Sequence, residues 1–156
     1  TIGNMVNFVI LEDGDTYNIN GVDYTFLDMH AKGTKLFGFI CKLNGKRFAF
    51  LGDETLSPEL YQTIEGSDYV MHEAFCLDSE VDILFCAHGG HQSPLRHSTA
   101  KSVGKIMNDL RVKNLILYHT EESHQGKRKE LYTNEAKTHF GGNVIVPNDL
   151  ETIEIK

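Results

Sequence analysis

KLFGFICKLNGKRFAFLGDET, residues 35–55, decides the fold. Two apolar runs flank Asn44-Gly45. Asn-Gly supplies the two positive φ angles of a type I′ turn, so the stretch predicts a β-hairpin with strands over 35–43 and 46–51. The second run ends at Leu51 and gives way at once to Gly52, Asp53 and Glu54. A carboxylate at the mouth of a buried strand costs desolvation energy unless a donor or a cation meets it. Asp53 therefore reads either as the cap of the next helix or as a metal ligand.

Working outward, the N-terminal side reads as more strand. VNFVIL (6–11) is apolar and is followed by the turn residues EDGD, and YNINGVDYTFLDM (17–29) alternates around a second Asn-Gly. The C-terminal side alternates helix and strand. SPELYQTIEG (57–66) has Ser at the N-cap position, Pro at the first helical position and Gly just past the end. DYVMHEA (68–74) reads as a short buried strand. STAKSVGKIMNDL (98–110) carries Val103, Ile106, Met107 and Leu110 at helical spacing, with Ser98 or Thr99 as cap. NLILYH (114–119) reads as a strand, GKRKELYTNEAKTHF (126–140) as a helix stopped by Gly141-Gly142, and NVIVP and LETIEI as closing strands. Antiparallel strands followed by a βαβα pattern predict an α/β fold, a mixed sheet covered by helices.

The chain has 156 residues and is expected to be a single domain, 1–156. Its 40% hydrophobic and 24% charged residues are those of a globular chain that buries a core. No apolar run reaches the roughly 20 residues of a membrane span, and no signal peptide opens the chain, so no membrane partner is expected. The first residue is Thr1, which implies a processed or truncated start. A formal charge of -7 argues against a broad nucleic-acid surface while leaving a local basic patch open. Cys41, Cys76 and Cys86 form no CxxC pair and are odd in number. No disulfide framework is expected, and the compartment reads as cytoplasmic.

Eight histidines are the first functional signal. Polar residues gather where apolar strands end: His30 after YTFLDM, Asp53 after FAFL, His72-Glu73 after DYVM, and His119 after NLILY. In α/β sheets the C-terminal edge of the strands is where ligands collect. Taken alone, any one of these histidines is more often a cap or a surface residue. If the strands are neighbours, His30, Asp53 and His119 converge, and two imidazoles with a carboxylate suit zinc, with manganese or iron as alternatives. On that reading Asp53 is a metal ligand.

In order, DMHAKGTKLFGF (28–39), FLGDET (50–55), MHEAF (71–75), RHSTA (96–100) and LILYHTEE (115–122) resemble the metallo-β-lactamase superfamily, specifically its ribonuclease Z-like branch. The resemblance runs from about Gly38 to Ile155. The superfamily's HxHxDH motif is absent from this sequence, and Phe75-Cys76 stands where the ribonuclease has Thr-Phe. The resemblance therefore implies the C-terminal half or more of a metallo-β-lactamase-type αββα sandwich. It implies two zinc ions in a complete site, with His30 on one ion, His119 on the other and Asp53 bridging. It implies a metal-dependent hydrolase, most simply a phosphodiesterase that attacks phosphorus with a metal-bound hydroxide. His97 then protonates the leaving group, Glu73 orients His97, and Ser98 and Thr99 bind substrate. The substrate would be RNA or a small nucleotide.

Other readings stay open at this level. A thioester or lactone hydrolase of the same superfamily is one. A non-catalytic fragment or binding module is another, completed by a missing N-terminal segment or by a second copy of the chain. His72 packs or supports the site. His88, His91, His124 and His139 read as surface residues, with ligation the alternative for the first two. Lys127, Arg128 and Lys129 read as either phosphate contacts or a solvated helix start.

Overall fold

The computed structural model describes residues 6–31, 33–81, 97–120, 124 and 126–156. The two Asn-Gly pairs make the turns their chemistry requires: φ is 52° and 84° at Asn20-Gly21, and 50° and 77° at Asn44-Gly45. The first joins β1 (Thr16–Ile19) to β2 (Val22–Asp28), and the second joins β3 (Phe37–Leu43) to β4 (Lys46–Phe50). After β4 the chain alternates: α1 (Tyr61–Ile64), β5 (Tyr69–Glu73), α2 (Ala100–Asp109), β6 (Asn114–Tyr118), α3 (Arg128–Lys137) and β7 (Asn143–Ile145). The strands form one seven-stranded sheet in the order β1-β2-β3-β4-β5-β6-β7. β1 to β4 pair antiparallel, and β4 to β7 pair parallel. Parallel neighbours need a crossover, and each crossover here carries a helix.

The sheet has two unlike faces. On one, Leu27, Ala49, Leu51, Val70, Leu115 and Leu117 are buried in a single core with Ile64, Val103, Met107, Tyr132 and Ala136 of the helices. On the other, rings run across the strands: Tyr17 meets Phe26, Phe26 meets Phe39, Phe39 stacks on Phe50 at 5.4 Å, and Phe50 meets Tyr118 at 5.4 Å. These rings are partly exposed, and among the described residues no second sheet covers them. One helical layer on one β-layer is part of the expected αββα sandwich.

Helix packing is tight where the sequence supplies glycine. A Cβ on Gly104 of α2 would stand 2.4 Å from the Ala136 carbonyl oxygen of α3. Gly104→Ala is therefore expected to lower stability by about 1–3 kcal/mol through overpacking, read as a shift of the urea midpoint. Thr99 caps α2 through a reciprocal pair, with Ser102 N–H donating to its hydroxyl at 3.1 Å and Thr99 N–H donating to the Ser102 hydroxyl at 3.0 Å.

Four expectations are corrected. Residues 6–11 form no strand, and Phe8 and Ile10 are 82% and 88% exposed. Residues 150–155 form no strand either. In both, the apolar pattern is present but no ladder partner is. The helix expected over 57–66 is a 3-10 turn, Pro58–Leu60, followed by the single turn of α1, although Ser57 caps it and Gly66 follows with φ 71°. Cys76 is disulfide-bonded, against the expectation of no disulfide, while Cys41 is a buried free thiol. The expectation rested on the odd count and the lack of a CxxC pair, and neither forbids a single disulfide.

Candidate functional site

Parallel pairing sets β4, β5 and β6 side by side with their C-terminal ends at one edge. Each end delivers a polar residue there. Past β4, Gly52 turns the chain with φ 49° and presents Asp53, whose side chain is half exposed. β5 ends in Glu73, which is fully buried, and β6 is followed by His119. His97 comes from the segment that leads into α2.

Asp53, Glu73, His97 and His119 each offer one donor atom, and all four atoms lie within 4.8 Å of one another. Asp53 Oδ1 is 2.7 Å from His119 Nδ1 and 3.2 Å from His97 Nδ1. His97 Nδ1 is also 3.2 Å from Glu73 Oε2. The capping alternative for Asp53 is not realised, because Ser57 caps the turn that follows. His119 has φ 49°, a left-handed conformation that costs a non-glycine residue of order 1–3 kcal/mol and needs support around it. Part of that support is Arg128, which donates to the Thr120 hydroxyl at 2.6 Å and to the Pro147 carbonyl at 2.6 Å.

The electrostatics follow from burial. Glu73 has lost its hydration, and the Asp53 charge lies nearby, so its carboxyl is pushed up to about 7 against the opposing Ser98 N–H bond. Next along β5, His72 points into the helical core, fully buried, with Nδ1 2.7 Å from the Glu73 carbonyl. Burial drives it down to about 4, so it is neutral near pH 7.

Other expected site residues fall elsewhere. His30, with φ 56°, is outside the group of four, and its Nε2 lies 3.1 Å from Glu59 Oε2. Its backbone N–H donates to Asp28, whose carboxyl the bound Lys35 holds below the usual range. Ser98 and Thr99 are buried, Ser98 donating its N–H to Glu73 and Thr99 capping α2. Arg128 is tied to Thr120 and to the C-terminal segment, and Lys129 pairs with Glu151. His124 lies 2.5 Å from Glu80. His88 and His91 lie outside the described residues. Sequence reasoning missed Phe75, whose ring stacks on His97 at 4.9 Å and meets His119 at 5.3 Å.

Two imidazoles and two carboxylates are a fitting donor set for a borderline-soft divalent ion. A cation would also relieve the proximity of the Asp53 and Glu73 charges.

No protein-family model matches the chain. Among solved structures, the metallo-β-lactamase fold protein YhfI from Bacillus subtilis superposes with a TM-score of 0.69 at 16% identity, over 89% of this chain and 51% of that one. Zn(2+)-bound PqqB from Methylobacterium extorquens gives 0.68 at 15% identity, over 93% and 51%. The short form of human tRNase Z gives 0.60 at 18% identity, over 90% and 46%. The fold is that of the metallo-β-lactamase superfamily. Ribonuclease Z from Nocardia farcinica is 30% identical over 111 residues, 71% of this chain and 33% of that protein. Ribonuclease Z from Nitrosopumilus maritimus is 28% identical over 148 residues, 94% of this chain and 45% of that protein. In sequence the chain is similar to ribonuclease Z, and it spans about a third to under half of these relatives' length.

Proposed function

We propose that this chain carries the Asp-His and His-Glu part of the active site of a metal-dependent phosphodiesterase. The observation that carries the reading is His97, whose Nδ1 faces both Glu73 and Asp53 while Asp53 also meets His119. Asp53 and His119 would hold the ion, zinc in the first instance, with manganese or iron compatible with the same donors. His30 would join them only after leaving Glu59. When bound, the ion supplies Lewis acidity and lowers the pKa of a coordinated water.

The chain's own residues do the rest. Glu73 fixes the His97 ring, and His97 carries a proton toward the leaving oxygen. With Nδ1 turned to the carboxylates, that proton sits on Nε2. Ser98 fixes Glu73, and Thr99 fixes the start of α2, so both act on substrate through His97. RNA is the proposed substrate, supported by the names of the similar ribonuclease Z and tRNase Z, with a small nucleotide as the alternative.

The test compares turnover of a phosphodiester ester with that of a thioester by the same preparation. Turnover of the diester that falls in His97→Ala supports the reading. Preference for the thioester would move the chain to another hydrolase class.

A second reading, a half-site inactive until completed, is favoured by the uncovered aromatic band from Tyr17 to Tyr118. Its cover would be a preceding segment or a second copy of the chain. Among the described residues no helix is long and apolar enough to cross a membrane. A cytoplasmic location belongs to the same proposal; the free Cys41 thiol supports it and the Cys76 disulfide counts against it.

A further inference from the structure

Nothing in an imidazole's own torsional preferences selects which ring edge faces a partner, because its χ2 well is broad and roughly two-fold. Yet His97 and His119 both turn Nδ1 to the same oxygen of Asp53. The three rings of Phe75, His97 and His119 form a closed triangle, with centroids 4.9, 5.3 and 5.4 Å apart. Phe75 lies nearly flat on His97, at 28°, and tilts against His119, at 58°. Its backbone is anchored on every side. Ala74 N–H donates to the Tyr118 carbonyl at 3.0 Å, and Ala100 N–H donates to the Cys76 carbonyl at 3.2 Å. The hydroxyl of Tyr132, fully buried on α3, donates to the Phe75 carbonyl at 2.9 Å. An aromatic side chain held this firmly against two imidazoles restricts both ring planes.

We propose that Phe75 is a positioning residue that locks the His97 and His119 rings with Nδ1 converging on Asp53. The proposal rests on the metal-site reading only in its consequence for metal binding. The close approach to Asp53, 3.2 Å from His97 and 2.7 Å from His119, places one edge of each imidazole, and Phe75 fixes the plane in which that edge lies. Without the ring, each imidazole samples further orientations, and the donors converge for only part of the time.

The test uses the full chain and two readouts: imidazole 15N NMR signals of the metal-free protein and cobalt(II) affinity by absorption titration. Phe75→Leu is expected to average the tautomer signals of both histidines and to weaken cobalt binding about 10–100-fold, the usual effect of losing support around a ligand. Phe75→Tyr, which keeps the ring, is expected to restore both. Phe75→Met replaces the leucine variant if that one does not fold. Wild-type imidazole signals in a folded variant that lacks the ring would overturn the proposal. If the wild-type chain binds no cobalt, the metal reading fails, and the metal-free imidazole signals still decide the role of Phe75.

Discussion

Replacing Asp53 with alanine is expected to remove the bound ion and the turnover together, whereas His97→Ala is expected to keep the ion and lose about 10²–10⁴-fold in turnover. The difference follows from what each side chain touches. Asp53 Oδ1 is the point on which both His97 and His119 converge, so its loss leaves the two imidazoles without their shared partner. His97 is the ring that the buried Glu73 orients. Its loss leaves Asp53 and His119 in contact at 2.7 Å. Metal content and diester turnover, measured on the same preparations, separate the two roles. Equal metal content in both variants would contradict the assignment.

Glu73 and His72 are neighbours on β5 with opposite burial effects, and their pH dependences are expected to cancel in the metal-free protein. Glu73 is pushed up to about 7 from an ordinary 4.5, so the folded state retains a proton that the unfolded chain releases. Its contribution is full below 4.5 and is lost as pH rises through about 7. His72 is driven down to about 4 from 6.5, so the folded state lacks a proton that the unfolded chain takes up. Its contribution is full above 6.5 and is lost as pH falls toward about 4. Each amounts to about 3 kcal/mol, with opposite signs over nearly the same window. The wild-type urea midpoint is expected to receive little net contribution from this pair. Glu73→Gln leaves the His72 contribution unopposed and loses stability on acidification. His72→Asn leaves the Glu73 contribution unopposed and loses stability as pH rises toward about 7. Parallel profiles for all three proteins would contradict this account.

Much of this was legible in the chain because local chemistry dictated it. Asn20-Gly21 and Asn44-Gly45 require their turns, and Thr99 with Ser102 caps α2. Apolar strands that end in Asp53, Glu73 and His119 put those residues on one edge once β4, β5 and β6 pair in parallel. Periodicity reports amphipathy and not pairing, which is why residues 6–11 and 150–155 read as strands and are not. The contact of His30 with Glu59 is made through space between a hairpin end and a 3-10 turn, and no spacing encodes it. Nor does any local signal mark Phe75. Its importance arises only when the segment leading into α2 brings His97 against the end of β5.

The most direct test of the central claim is metal content per chain, by elemental mass spectrometry on protein purified without added metal. The account predicts about one zinc, manganese or iron ion per chain, held through Asp53 and His119. Metal far below that level, in protein that is folded, would contradict it.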